Sequence, residues 1–376
     1  MMRVPAVDHR ANNFDFLRFV AASLVLYSHC FALTGMGGYE PLTRITHGDY
    51  VFAGLAVRVF FVISGYLVMQ SWMRQPRLVP FAVARCLRIF PGLAVALLYC
   101  VGIGAVVTTL SSAEYWANPE TYGFLWRNLL LQVEFFLPGA FENNAFPRAV
   151  NGSVWSLYFE FRAYLVVAFL GVVGAFSRRW LGTLAWIAMA SLIFFWREVW
   201  GIEVDQDWPV VNLFVCFVGG ALAALYPGAL RAFGLIAALA AVAFVLMVGS
   251  RFADVAIDAA LIAGALWFAH RRAPMFARFG RYGDFSYGVF IYAFPTQQMI
   301  AWMTDMRSPY LMLAVSFPAT VMLAALSWHL IERPSLALKR YLVSPGVVAP
   351  LAIAGDWSAA TVRRAKGAVI RLFSVE

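Results

Sequence analysis

Runs long enough to cross a bilayer, which takes about twenty predominantly apolar residues, recur along this chain with short basic segments between them. The pattern predicts spans near 12–35, 51–72 and 89–110, a fourth opening at Asn151, then 180–196, 210–226, 233–250, 255–269, 285–303 and 310–331. The expected fold class is all-α and polytopic, with about ten transmembrane helices; the short alternating segments of a membrane barrel do not occur. Arg3 and Arg10 precede the first run, and Arg74, Arg77, Arg85, Arg88, Arg178, Arg179, Arg231, Arg271, Arg272, Arg278 and Arg281 lie in alternate connections. The remaining connections hold only Arg44, Arg127, Arg148, Arg197, Arg251 and Arg307. Cytoplasmic loops concentrate Lys and Arg, so both termini are expected in the cytoplasm. The polar connection 111–152 is expected to lie along the outer face as one or two short helices. Residues 12–334 then form the integral-membrane domain, and 335–376 a cytoplasmic tail. Within that tail, 356–373 reads as an amphipathic surface helix: Trp357, Val362, Val369, Leu372 and Phe373 share one arc, and Arg363, Arg364, Lys366 and Arg371 the other. That arrangement suits an anionic inner leaflet.

Composition agrees and removes two alternatives. Only 13% of the 376 residues are charged and 62% are hydrophobic, whereas soluble domains are about a quarter charged. The formal charge of +9 lies in the loops, so it marks topology and membrane lipid rather than nucleic acid. The first run is full length and carries Arg18, with no small-residue cleavage site, so it reads as a retained span and not a signal peptide. Cys30, Cys86, Cys100 and Cys216 lie in or beside spans without paired or metal-ligand spacing, which predicts free thiols and no metal.

Charged groups inside spans cost several kcal/mol unless partnered, and each is a functional candidate. The first span holds Asp15, Arg18 and His29. Arg18 and His29 are eleven residues apart, about three turns and ~16 Å along one helix face. The plain alternative is an anchor whose Arg18 reaches the headgroups and whose His29 packs. Arg58 lies toward the outer end of the second span, and Ser64-Gly65 leaves a small surface there for a helix or a ligand. Arg85 and Arg88, at i and i+3 before the third span, point the same way; they suit phosphate bidentately or serve as a topogenic signal. Glu160 and Arg162 lie inside the fourth span, on different faces, and each needs its own partner.

Five motifs in order then resemble one family: DFLR with His29 eleven residues after Arg18, FFVISGYL at 60–67, RCLRIFP at 85–91, NGSVWSLYFE at 151–160 and SYGVFIYAFP at 286–295, with a closing ERP. The set resembles the membrane-bound acyltransferase-3 proteins that O-acylate bacterial surface sugars, over about 12–334. The resemblance implies an acyl-CoA donor, usually acetyl-CoA, used as substrate with no bound cofactor, and a glycan or lipid-linked sugar acceptor on the outer side of a bacterial inner membrane. It makes His29 the catalytic histidine with Arg18 its motif partner, Arg85 and Arg88 the pair on the CoA phosphates, and Glu160 the acidic position. Ser64 and Gly65 belong to its donor site, with Asp15, Trp155, Ser156, Ser286 and Tyr287 in support. Two departures stand out. Many relatives have a histidine where this chain has Ala293, and the sequence lacks the soluble esterase-like domain fused to some members.

The reading is an O-acyltransferase in which His29 takes the proton of a sugar hydroxyl as its oxygen attacks the thioester. Glu160 holds or stabilises the imidazole, as a carboxylate does in a triad. A covalent acyl-histidine is the variant left open. The alternative class is a transporter or flippase of lipid-linked sugars, with the buried charges lining a pathway. Association into an oligomer also stays open.

Overall fold

The computed structural model describes residues 12–200, 210–250, 252–271 and 273–343. Ten long helices follow the apolar runs: α1 Phe14–Leu33, α2 Phe52–Arg74, α3 Leu78–Val107, α4 Trp155–Val172, α5 Arg179–Trp200, α6 Val210–Leu225, α7 Phe233–Met247, α8 Ala253–Ala269, α9 Ser286–Thr304 and α10 Pro309–Ser327. Two isolated β-bridges are the only extended pairing among the described residues. Six helical segments are long and apolar enough to cross a membrane, and a seventh is reached if the bent pair around 270 is one span. The chain is a multi-pass helical membrane protein. The N-terminal arginines and the surface helix expected at 356–373 lie outside the described residues.

One helix starts earlier than its pattern suggests. The expected start of the third span at 89 moves back to Leu78, and Pro91 lies inside the helix. Pro80 sits in the first turn, where a missing N–H costs nothing, so the basic segment is helical from its beginning. The resulting thirty residues run about 45 Å, and Arg85 and Arg88 lie about two to three turns inside the helix.

Packing divides the helices by their neighbours. α9 is buried along nearly its whole length, including Gln297 and Gln298 at full burial. It packs on α1, α3 and α10, while α2 packs on α1, α4, α6 and α8. The α2–α6 contact is close because a Cβ on Gly65 would collide with the Phe217 carbonyl, and one on Gly220 with the Val62 carbonyl. By contrast, α7 exposes Leu235, Leu239, Val242 and Leu246, as a lipid-facing helix does. Arg58 finds its partners on α8, pairing with Asp254 at 3.0 Å and Asp258 at 2.9 Å. This buried cluster explains the intramembrane arginine as a tie between helices.

The connection 108–154 contains short helices at Ser112–Ala117 and Pro119–Leu129, as its pattern suggests. Its later part folds over the ends of α1 and α9 opposite the basic connections. Gln298 fastens it there. The Gln298 amide donates to the carbonyls of Phe146 (2.8 Å) and Ala149 (2.7 Å), and Asn144 donates back to Gln298 Oε1 at 2.8 Å. Leu131, Phe141 and Arg148 take left-handed φ values in this stretch, a conformation few side chains adopt without such fixing.

Candidate active site

A cavity of about 740 Å³ runs from the ends of α1, α3 and α9 that adjoin the basic connections, along most of α2, to the first turns of α4. Its rim carries Arg74, Arg85 and Lys339, its middle Arg18, Arg88 and Asp284, and its far end Val57, Phe60, Ser156, Leu157 and Phe290. The lining thus changes from cationic to apolar along its depth.

Asp284, just before α9, gathers the middle charges. Arg88 binds it at 2.7 Å and Arg18 at 3.2 Å, and Arg18 also binds Asp15 at 2.5 Å. Ser286 donates both its hydroxyl, at 2.5 Å, and its N–H to the same carboxylate. Burial would raise the Asp284 carboxyl, but the two guanidiniums and the Ser286 donors outweigh it and hold the group well below the usual carboxylate range. Glu332, in a π-helical turn after α10, lies 3.8 Å from Arg88 and accepts from Ser327. Tyr287 donates to the Ile89 carbonyl at 2.8 Å and offers its ring face to Arg88.

The structure separates the two arginines that the sequence pairs. Arg88 is surrounded by carboxylates. Arg85 lies over the rings of Phe81 and Tyr164, its Nε is buried without a hydrogen bond, and no ion pair is formed by it among the described residues. Lys339 joins Arg85 at the rim because residues 333–343 fold back along α3 as two short helices, Arg333–Ala337 and Lys339–Leu342.

Glu160 also lines the cavity, where it accepts from Ser64 at 3.1 Å and from Tyr164 at 2.5 Å. Hydroxyl donors, and not the cation or histidine expected, satisfy this carboxylate. Arg162 points elsewhere and lies 4.0 Å from the centre of the Tyr158 ring. Of the remaining expected residues, Asp15, Ser156, Ser286 and Tyr287 line the cavity, whereas Gly65 is taken up in the α2–α6 contact and Trp155 meets Phe159 edge to face.

His29 lies beyond the cavity. Its ring meets the edge of Phe294 at 5.1 Å, and its buried Nδ1 has no hydrogen-bond partner. Phe294 also touches Phe146 of the overlying connection and would be struck by a Cβ on Gly152. Glu160 lies more than one turn into α4, farther toward the basic end than Gly152, and its hydrogen bonds go to Ser64 and Tyr164. The expected Glu160–His29 pairing is therefore not formed. Cys30, beside the histidine, is buried against Gln297 and the Leu26 carbonyl, as a packing residue would be.

Comparison with known proteins adds three findings. A family model described as an acyltransferase domain, of the acyltransferase-3 type, matches residues 12–332. An O-acetyl transferase of Shigella phage Sf6 is 28% identical over 350 residues, covering 86% of this chain and 96% of the relative. Nodulation protein 10 of Rhizobium leguminosarum bv. viciae is 29% identical over 384 residues, covering 90% and 98%. No solved structure matches the chain.

Proposed function

The chain belongs to the acyltransferase-3 family, and from that premise we propose that it is an O-acyltransferase that moves an acetyl group from cytoplasmic acetyl-CoA to a hydroxyl of a lipid-linked or surface polysaccharide sugar, in the inner membrane of a bacterium. The observation that carries the donor assignment is the cavity, cationic at its rim and apolar at its far end. Acyl-CoA has the same polarity: phosphates at one end, then a long thin arm ending in the acyl thioester. With ten spans and both termini in the cytoplasm, the rim faces the donor pool and the connection 108–154 faces the acceptor. Phe60 and Phe290 line the cavity's far end, and the family match and the O-acetyl transferase relative favour this reading over the transport alternative.

In this reading Arg85 and Lys339 contact the phosphates, and Arg18, Arg88 and Asp284 form a charge-balanced collar through which the arm passes. Ser64 and Glu160 orient the arm. At its tip the acceptor oxygen attacks the thioester carbon while His29 takes the hydroxyl proton; the carbon–sulfur bond breaks, and the imidazolium returns that proton to the departing thiolate. The products are an O-acyl ester and free CoA, and no enzyme-bound acyl group is needed.

Arg85→Ala and Lys339→Ala are each expected to raise the acetyl-CoA KM by about tenfold or more while kcat stays close to normal, because a hydrogen bond to a charged group contributes about 1.5–3 kcal/mol. Initial rates in isolated membranes with graded acetyl-CoA measure it. An unchanged KM in the double variant would remove the phosphate role.

A further inference from the structure

The route from the cavity to His29 is lined by aromatic rings. Phe60 on α2 and Phe290 on α9 both border the cavity's far end and meet edge to face with centroids 5.6 Å apart. Four residues beyond Phe290 on α9, Phe294 packs against His29. Side chains four apart lie on one helix face about one turn from each other. A thioester brought up to His29 therefore has the Phe60–Phe290 pair on the cavity side and Phe294 on the histidine side, and any acyl chain it carries must fit in the space beside these rings. On the histidine side Phe294 is held tightly, since a Cβ on Gly152 would come within 2.6 Å of its ring, so little room is left there.

We infer that Phe60 and Phe290 bound the acyl subsite and restrict the transferred group to a short chain of about two or three carbons. The inference rests on the donor reading above and deepens it by naming the residues that set the length of the acyl group. A pocket wall discriminates by about 10–200-fold for one methylene, so shortening either ring changes chain preference more than it changes donor binding.

The test uses isolated membranes with their endogenous acceptor, from cells expressing wild-type protein or the Phe60→Leu, Phe60→Ala, Phe290→Leu and Phe290→Ala variants, supplied with tritiated acetyl-, butyryl- or hexanoyl-CoA. Wild type should strongly prefer acetyl. Each variant present at normal amounts should raise the hexanoyl-to-acetyl ratio of kcat/KM by about tenfold or more, with the leucine variants serving if an alanine variant fails to accumulate. A wild type that uses hexanoyl-CoA as well as acetyl-CoA overturns the inference by itself, whatever the variants do. Variants that accumulate normally and keep the wild-type ratio overturn it too. A wild type that transfers label from none of the three donors contradicts the donor reading, and the inference falls with it.

Discussion

His29→Gln should insert and accumulate normally and lose turnover by about 10²–10⁴-fold, the range that general acid–base catalysis supplies. Glutamine keeps much of the size and some hydrogen bonding of imidazole but cannot take up and release a proton near neutral pH. The structure makes the substitution mild for folding, because His29 makes a ring contact with Phe294 and its Nδ1 holds no hydrogen bond that would be lost. The loss is expected in kcat, with the acetyl-CoA KM little changed, since His29 does not line the cavity assigned to the donor. Glu160→Gln should cost less than His29→Gln. Its carboxylate is held by Ser64 and Tyr164 beside the arm, and a glutamine oxygen can still accept from those hydroxyls. Steady-state rates at matched protein amounts separate the two. A His29→Gln variant that acylates at the wild-type rate would end the acid–base assignment.

The second large effect is expected at Asp284. Asp284→Asn leaves Arg88 and Arg18 facing a neutral group in a largely enclosed site where the carboxylate side chain is 11% exposed. Removing one member of a buried ion pair costs about 3–5 kcal/mol, and the remaining partners Glu332 and Asp15 point to the lower end of that range. The thermal unfolding midpoint in detergent should fall by about 5–10 °C. Adding Arg88→Gln should recover part of the loss, and the double-mutant cycle measures the coupling. The pH response has a definite sign. Because folding depresses the Asp284 carboxyl, its contribution is complete above the unfolded value of about 4 and is lost as pH falls below it toward the folded value. Wild type should therefore lose stability on acidification through that window, and Asp284→Asn should lose less.

The features legible in the sequence are those that depend on neighbours along the chain. Ten apolar runs gave ten helices at nearly the expected positions, and the charges of 85–88 and the motif around Glu160 and Ser64 all border one cavity. What stayed hidden depends on residues far apart in the chain. Asp284 lies in a motif-bearing stretch, yet its importance comes from Arg18 and Arg88, 266 and 196 residues away by number, and no periodicity reports such a meeting. Arg58 similarly waits for Asp254 and Asp258 on another helix. The division of labour between Arg85 and Arg88 was invisible because their i, i+3 spacing puts both on one face; only the carboxylates opposite Arg88 distinguish them. Lys339 reaches the rim only because the chain folds back on α3, and nothing local signals that. The start of α3 at Leu78 was hidden because the basic segment 74–88 reads as a connection, whereas most of it is helical.

The sidedness of the donor reaction tests the central claim most directly. Inverted membrane vesicles expose the cytoplasmic face to the medium, right-side-out vesicles the opposite face, and acetyl-CoA does not cross the bilayer unaided. Tritiated acetyl-CoA added to inverted vesicles should label the glycan or lipid-linked sugar fraction, with the label released by mild alkali as an ester is. Right-side-out vesicles should remain unlabelled until permeabilised, and inverted vesicles carrying His29→Gln should stay at background. Equal labelling of sealed vesicles of both orientations, or wild-type labelling by His29→Gln, would contradict a cytoplasmic donor delivered through this cavity to His29.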